Sequence, residues 1–355
     1  MDVQKVTAFL VGIIVVFAIG LVLDVAQPVI LPLVIALLLS FLLTPAMNHL
    51  MKRWRFPRGL AILLIIILIF GIIFLLGWFV FSSVQSFVKQ YGKYEARFEE
   101  IFTDIMSSRY LARLDISENL FSGFNWERTV REYLFSVSGS FMEFVGVTVI
   151  ITIVLIFLFL ETPHFKVKLS QAFPPHTSKR IGIMLEHITR QVSRYLGVKM
   201  FISFMTGLTV SVTLAIIGMD FPIIWGALAF LLNFIPQVGS IIFVVISILL
   251  SIVQFYPAIG DPITVAITMT GVQLLFGQFL DPLMSGERLN LSPVIILASL
   301  VFWAWLWGVI GAFIAVPIAA TIKIICANIP FLKPVSVLMG TGYKRKLRLF
   351  KKPRN

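Results

Sequence analysis

Three long runs without a charged residue constrain the fold of this chain more than any other feature of its sequence. They cover residues 60–88, 221–260 and 289–322. Each run exceeds the roughly 20 apolar residues that a helix needs to cross the hydrocarbon core of a bilayer. Hydrophobic residues make up 59% of the chain and charged residues only 13%, which excludes an ordinary soluble domain. The sequence therefore predicts an all-α polytopic membrane protein, because lipid offers open backbone groups no hydrogen-bond partner.

Charged residues mark the ends of six predicted full spans. The spans are residues 6–23, 29–48, 60–82, 144–160, 200–218 and 262–280. The first is interpreted as a membrane helix and not a signal peptide, since no small-residue cleavage site follows it. Basic residues are in excess at 52–58, at 161–199 and in the tail, whereas residues 83–140 balance seven basic against eight acidic residues. The positive-inside rule then predicts cytoplasmic N- and C-termini and an outside location for residues 83–140.

Two segments outside the spans have apolar residues at helical spacing, one within 83–140 and one within 161–199. Such stripes predict amphipathic helices that pack on neighbouring helices, on the bilayer surface or on another subunit, with a regulatory surface as the alternative. The predicted domains are membrane helices one to three (1–82), an extracytoplasmic amphipathic segment (83–140), membrane helix four (141–160), cytoplasmic amphipathic helices (161–199), a transport core (200–330) and a basic cytoplasmic tail (331–355).

Two of the charge-free runs are too long for one span and too short for two. Each is interrupted by glycine, proline or polar residues, at 233–239 and at 305–311. These interruptions predict two re-entrant helical hairpins, with a purely structural kink as the alternative at each place. The turn residues of the predicted hairpins are Pro236, Gly239, Gly308 and Gly311.

The two hairpins resemble each other in sequence. Pro222 lies 17 residues before Gly239, and Pro293 lies 18 residues before Gly311. Each predicted hairpin follows one full span, so the second span-and-hairpin unit starts on the opposite side of the membrane from the first. This pattern predicts an inverted repeat, which is typical of secondary transporters that bind their substrate near the midplane.

Polar residues within this region are the candidate site. An ionisable group at membrane depth costs about 2.5–3.5 kcal/mol on insertion scales, so it is usually paired or functional. Asp281 is expected either to form a structural ion pair with Arg288 or to bind a cation or proton in a water-filled cavity. Polar side chains from the first hairpin are expected to hydrogen-bond a polar solute. The predicted pathway residues are Asn233, Gln237, Gln273, Gln278, Asp281, Glu287 and Arg288.

Several separated motifs resemble the autoinducer-2 exporter family, and most closely the branch that contains the exporter. They are residues 224–230, 233–240, 281–286, 291–293, 302–308, 311, 316–317 and 323, with the early segments 54–58 and 161–163. The resemblance implies an inner-membrane transporter of a bacterium that forms a homo-oligomer, for which a pentamer is one option. Many relatives have glutamate at the acid–proline position where this chain has Asp281, so the resemblance does not decide whether a cation binds there.

Three functions remain open from the sequence. The first is export of a small, polar, neutral solute such as autoinducer-2, the quorum-sensing signal. The second is antiport of Na⁺ or Li⁺ against protons, with Asp281 as the titratable carboxylate and Glu287 next. The third is a channel or scaffold without coupled transport.

An enzyme is not expected, because the four histidines lack metal-ligand spacing and the single cysteine, Cys326, cannot form a metal cage alone. No cofactor or metal is predicted. The basic residues behind the net charge of +12 flank apolar segments, so anionic lipid headgroups are their expected partners and nucleic acid is not.

Overall fold

The computed structural model describes residues 20–107, 126–285 and 290–341, together with residues 11, 15 and 18. Regular structure in these ranges is helical, and Leu291 and Gly340 form an isolated antiparallel bridge. In chain order the α-helices are α1 (Gln27–Arg53), α2 (Arg58–Ser107), α3 (Trp126–Ala172), α4 (Pro175–Ile217), α5 (Pro222–Leu232), α6 (Val238–Phe255), α7 (Gly260–Gln273), α8 (Asp281–Ser285), α9 (Pro293–Asn328) and α10 (Lys333–Leu338). A π-helical turn (Leu274–Leu280) joins α7 to α8, and a 3₁₀ turn (Pro330–Leu332) precedes α10.

Six helical segments in the described ranges are long and apolar enough to cross a membrane. They are Gln27–Arg53, Phe144–Phe165, Pro175–Ile217, Val238–Phe255, Gly260–Met284 and Pro293–Asn328. This confirms the prediction of an all-α polytopic membrane protein. These six segments are not the same as the six spans predicted from the sequence, however. Most of predicted span 6–23 lies outside the described residues, and the apolar part of predicted span 60–82 is represented by the shorter segment Arg58–Ile72.

Three helices are much longer than the membrane spans predicted within them. α2 continues from predicted span 60–82 to Ser107, α3 extends beyond both ends of 144–160, and α4 joins the segment before residue 200 to predicted span 200–218. The physical reason is that charged residues mark the limit of hydrocarbon but do not break a helix. Boundaries drawn from charge therefore do not coincide with helix ends.

The described residues form two compact units, each with its own core. The first unit takes in Met1–Ile65, Val147–Val198 and Glu287–Asn355, and the second takes in Ile66–Gly146 and Lys199–Gly286. In the first unit, buried residues of α1, α4 and α9 form the main apolar cluster: Leu31, Leu38, Ile188, Val192, Leu306, Trp307, Ile314 and Ile324. In the second unit, α4 to α7 contribute the core residues Val210, Leu214, Met219, Trp225, Ala229, Phe243, Val265, Met269 and Val272.

Helices α4 and α5 of the second unit touch through their backbones. A Cβ atom at Gly207 would lie 2.6 Å from the carbonyl oxygen of Gly226. A Cβ atom at Gly226 would overlap both Ser211 Oγ and the carbonyl oxygen of Gly207. Small residues on facing helices allow this close approach, which is a common way of packing helices in membranes. The contact fixes the position of α5, and with it the turn that follows.

Candidate functional site

The chain reverses direction between α5 and α6. The ring centroids of Trp225 and Phe243 are 6.5 Å apart, whereas 18 residues of straight helix would span about 27 Å. The turn contains Pro236, and Gln237 at its end has a φ of 60°. This positive φ is uncommon for a residue with a side chain, and it directs the chain into α6.

Helix α9 also folds back on itself. Ser299 Oγ donates a hydrogen bond of 2.9 Å to the carbonyl oxygen of Ala315, although 16 residues of straight helix would span about 24 Å. The break lies at Trp307 and Gly308, whose backbone angles are not helical. Gly308 has φ 61° and ψ −144°, a conformation open almost only to glycine. The glycine predicted at this turn is thus required by its backbone geometry.

The same kind of close contact occurs at each of the two chain reversals. Gly239 lies against the carbonyl oxygen of Leu232, and Gly311 lies against the carbonyl oxygen of Trp303, so that a Cβ at either glycine would overlap the backbone. Each of these carbonyls belongs to the residue ten positions after the proline that opens the first helical limb. The sequence similarity of the two segments therefore has a counterpart in their local geometry.

A buried polar face of α4 contacts the turn between α5 and α6. Asn233 Nδ2 donates a hydrogen bond of 2.9 Å to Ser203 Oγ, and both residues are buried. Lys199, Ser203 and Thr206 are spaced to lie on one face of α4, and Lys199 and Thr206 are also buried. Where α4 changes from a charged to an apolar segment, this face presents an amine and two hydroxyl groups to the interior of the second unit.

Lys199 forms an ion pair with Asp281. Lys199 Nζ lies 2.6 Å from Asp281 Oδ2, and the two side chains are 5% and 21% exposed. The sequence hypothesis paired Asp281 with Arg288 instead, and Arg288, like Glu287, lies outside the described residues. Sequence reasoning assigned Lys199 to the cytoplasmic basic segment and missed this role. The available signal was its spacing of four and seven residues from Ser203 and Thr206 in α4.

The π-helical turn lies directly between two predicted site residues, Gln273 and Asp281. Pro282 follows Asp281, and proline has no N–H to donate to the carbonyl group of Gln278 four residues earlier. Its ring also crowds that carbonyl in an α-helix, so a wider turn relieves the conflict. π-helical turns are rare and occur frequently at functional sites. This turn changes the direction of the side chains on either side of it.

Gln273 and Ser240 approach the same small space above Gly277. An added Cβ at Gly277 would lie 3.7 Å from Gln273 Oε1 and 3.7 Å from Ser240 Oγ. Gln273 is 8% exposed, and among the described residues its Oε1 atom is buried without a hydrogen-bond partner. A buried acceptor without a partner is costly and needs an explanation.

Three of the predicted pathway residues take part in these contacts. Asn233 bonds to Ser203, Asp281 pairs with Lys199, and Gln273 approaches the space above Gly277 together with Ser240. Gln237 and Gln278 are exposed. Within the described ranges, no three His, Cys, Asp or Glu side chains lie close enough together to hold a metal ion.

A second polar cluster surrounds Asp220, in the loop between α4 and α5. Tyr94 Oη donates a hydrogen bond of 2.8 Å to Asp220 Oδ2, and Lys93 Nζ lies 3.1 Å from the same atom. The backbone N–H of Asp220 donates to Gln254 Oε1. Burial raises the pKa of Tyr94 well above its usual range, and the hydrogen bond to Asp220 adds to the shift. The cluster ties α2 and α6 to the loop before α5.

The model of the family described as AI-2E family transporter matches residues 8–331. Relatives from Borreliella burgdorferi and Haemophilus influenzae, each named "Putative transport protein", are 36% and 32% identical over 65% and 58% of the chain. These alignments cover 64% and 60% of the relatives' own length. A relative from Escherichia coli K12, named AI-2 transport protein TqsA, is 26% identical over 84% of the chain and 85% of its own length.

Proposed function

Because the chain belongs to the AI-2E transporter family, we propose that it is a secondary transporter that exports a small, polar, neutral solute, with autoinducer-2 as the first candidate. The relative TqsA is named as an AI-2 transport protein. The proposal places the chain in the inner membrane of a bacterium, with both termini in the cytoplasm. It also includes assembly into a homo-oligomer, for which a pentamer is one option.

The neutral hydrogen-bonding groups buried in the second unit are the observation that carries this proposal. Asn233 and Ser203 form a buried pair, and Gln273 and Ser240 approach one small space. The charge of the nearby carboxylate of Asp281 is balanced by Lys199 at 2.6 Å. A buried site in which the charges are already balanced binds a neutral polar molecule more readily than an additional ion. Uncharged donors and acceptors then fix the orientation of the solute.

Alternating access is proposed to come from the two segments that fold back. In this account, α5–α6 and the two limbs of α9 are re-entrant hairpins of an inverted repeat within a transport core of residues 200–330. Their similar glycine contacts support the repeat. Broken helices near the midplane are the usual binding elements of such transporters. The other predicted domains, which are 1–82, 83–140, 141–160, 161–199 and the basic tail 331–355, are proposed to support this core.

Solute counterflow in liposomes tests the proposal. The purified protein is reconstituted with unlabelled autoinducer-2 inside, and uptake of labelled autoinducer-2 is followed. The wild type should accumulate label, and Asn233→Leu should reduce the rate about tenfold or more, because it removes a buried hydrogen-bonding group. Asn48→Leu is the matched control, since Asn48 is exposed on α1. Protein that is folded but gives no uptake above empty liposomes would refute export of this solute.

The second candidate function is antiport of Na⁺ or Li⁺ against protons. The observation that favours it is the same ion pair, since a cation could displace Lys199 from Asp281. For antiport, the displaced lysine would have to release a proton as the cation binds and take one up as the cation leaves. Addition of Na⁺ or Li⁺ to proteoliposomes would in that case produce a pH change that Asp281→Asn abolishes. Counterflow without such a change favours the neutral solute.

A further inference from the structure

The space above Gly277, which is part of the proposed transport site, has the features of a site for one particular chemical group. Gln273 Oε1 is a buried hydrogen-bond acceptor without a partner among the described residues. Ser240 Oγ, on the first turn of α6, lies on another side of the same space. The third boundary is the backbone of Gly277 within the π-helical turn. Two oxygen atoms bound this space, and the buried acceptor among them calls for a hydrogen-bond donor.

The chemistry of the two oxygen atoms specifies that occupant. The amide oxygen of Gln273 only accepts hydrogen bonds, whereas the hydroxyl group of Ser240 both donates and accepts. A hydroxyl group in the space can donate to Gln273 Oε1 and accept from Ser240 Oγ at once. A cation would find two neutral oxygens here, while the carboxylate of Asp281, eight residues on, is paired with Lys199. Hard cations are normally held with the help of a carboxylate.

We infer that Gln273, Ser240 and Gly277 form a binding site for a hydroxyl group of the transported solute. The inference rests on the proposed transport of a neutral polar solute and names the group that is recognised. Gly277 contributes by lacking a side chain. The free acceptor of Gln273 is kept available for the solute at some cost to the stability of the empty protein.

Gly277→Ala is the direct test, because the added methyl group fills the space without straining the backbone. Its carbon would lie 3.7 Å from both oxygen atoms, an ordinary van der Waals distance. Gly271→Ala is the matched control on α7, since a Cβ there meets nothing within 4 Å. Binding is measured as the rise in the thermal unfolding midpoint on adding autoinducer-2 or, separately, glycerol. Counterflow of autoinducer-2 is measured in parallel.

The expected result is that both probes stabilise the wild type and Gly271→Ala but not Gly277→Ala. Gln273→Met should weaken binding about tenfold, by loss of one hydrogen bond, while the unfolding midpoint of the empty protein stays the same or rises. Equal stabilisation of Gly277→Ala and the wild type, or no stabilisation of the wild type by either probe, would overturn the inference. Stabilisation without counterflow would support the site and refute the transport proposal.

Two further outcomes would also overturn the assignment. If Gly277→Ala lowers the unfolding midpoint of the empty protein but binds both probes normally, a structural water occupies the space. If Na⁺ or Li⁺ stabilises the wild type and Gly277→Ala removes that effect, the space binds a cation and not a hydroxyl group.

Discussion

Lys199 and Asp281 form an ion pair inside the second unit, with 2.6 Å between Lys199 Nζ and Asp281 Oδ2. The pair joins the polar face of α4 to the first residue of α8, just after the π-helical turn. Both side chains are largely removed from solvent. Because an unpaired charge is far more costly in such surroundings than a pair, the contact is expected to hold α4 and α8 together.

Removal of one partner should therefore destabilise the protein strongly. We expect Lys199→Met or Asp281→Asn to cost about 3–5 kcal/mol, the range measured when one member of a buried pair is removed. The double variant Lys199→Met/Asp281→Leu should recover much of this loss, since it leaves no buried charge. Thermal unfolding in detergent is the measurement.

An exposed ion pair serves as the control for this comparison. Glu186 and Arg190 lie one helical turn apart on α4, with side chains 67% and 75% exposed. Glu186→Gln should leave the unfolding midpoint unchanged, because solvent screens such pairs. If Lys199→Met were as mild as Glu186→Gln, the Lys199–Asp281 pair would not have the structural role described here.

The turn glycines should be essential to transport. Gly239→Leu and Gly311→Leu place a side chain where even a Cβ overlaps a backbone carbonyl, so each reversal must open. We expect both variants to insert into the membrane and to lose counterflow of autoinducer-2. Gly271→Leu, at an open position of α7, should retain it. Normal flux from well-expressed Gly239→Leu and Gly311→Leu would contradict the proposed role of the hairpins.

The contact between α4 and α5 should tolerate no added methyl group. Gly226→Ala introduces an overlap with Ser211 Oγ and with the carbonyl oxygen of Gly207. Overpacking of this kind costs about 1–3 kcal/mol, which should appear as a lower unfolding midpoint. Gly197→Ala on α4 meets nothing within 4 Å and should be neutral or stabilising. Equal midpoints for the two variants would show that the helices separate easily.

Tyr94 should stabilise the loop around Asp220. Tyr94→Phe removes a hydrogen bond to a carboxylate, which is worth about 1.5–3 kcal/mol. The pKa of Tyr94 is raised above its usual range, so its stabilising effect is complete below the unfolded pKa of about 10. The effect declines as the pH rises above that value and is gone once the pH has passed the folded pKa. The difference in unfolding midpoint between wild type and Tyr94→Phe should thus be constant from about pH 6 to 9.

Lys93→Met provides the comparison for that prediction. The side chain of Lys93 is half exposed, so its ion pair with Asp220 is screened and its loss should have little effect. If Tyr94→Phe were as harmless as Lys93→Met, or if its effect disappeared well below pH 9, the hydrogen bond would not be the source of stability.

The sequence was sufficient to predict that the chain is helical. Long charge-free runs require helices in lipid, and glycine within such a run indicates a backbone that no other residue fits, as found at Gly239, Gly308 and Gly311. Helix ends were harder to predict. In α4 a charged segment and an apolar one form a single helix, because a change in polarity does not interrupt backbone hydrogen bonds.

The candidate site was predictable only in part. Asp281 was identified because a carboxylate is costly near lipid, but its partner Lys199 lies 82 residues away in the sequence. The spacing of Lys199 from Ser203 and Thr206 was a local signal, but it does not identify Asp281 as the partner. The π-helical turn depends on how the chain accommodates Pro282, and the approach of Ser240 to Gln273 depends on packing between helices. Such relationships follow from tertiary structure and not from local pattern.

The most direct test of the central claim is the proton response of proteoliposomes to Na⁺ or Li⁺. Lys199 balances the charge of Asp281, and the proposed solute is neutral. Wild-type protein that is active in counterflow of autoinducer-2 should therefore produce no cation-dependent pH change. A pH change on adding either cation to the wild type would contradict this. Its absence from Asp281→Asn that is shown to be folded would establish antiport.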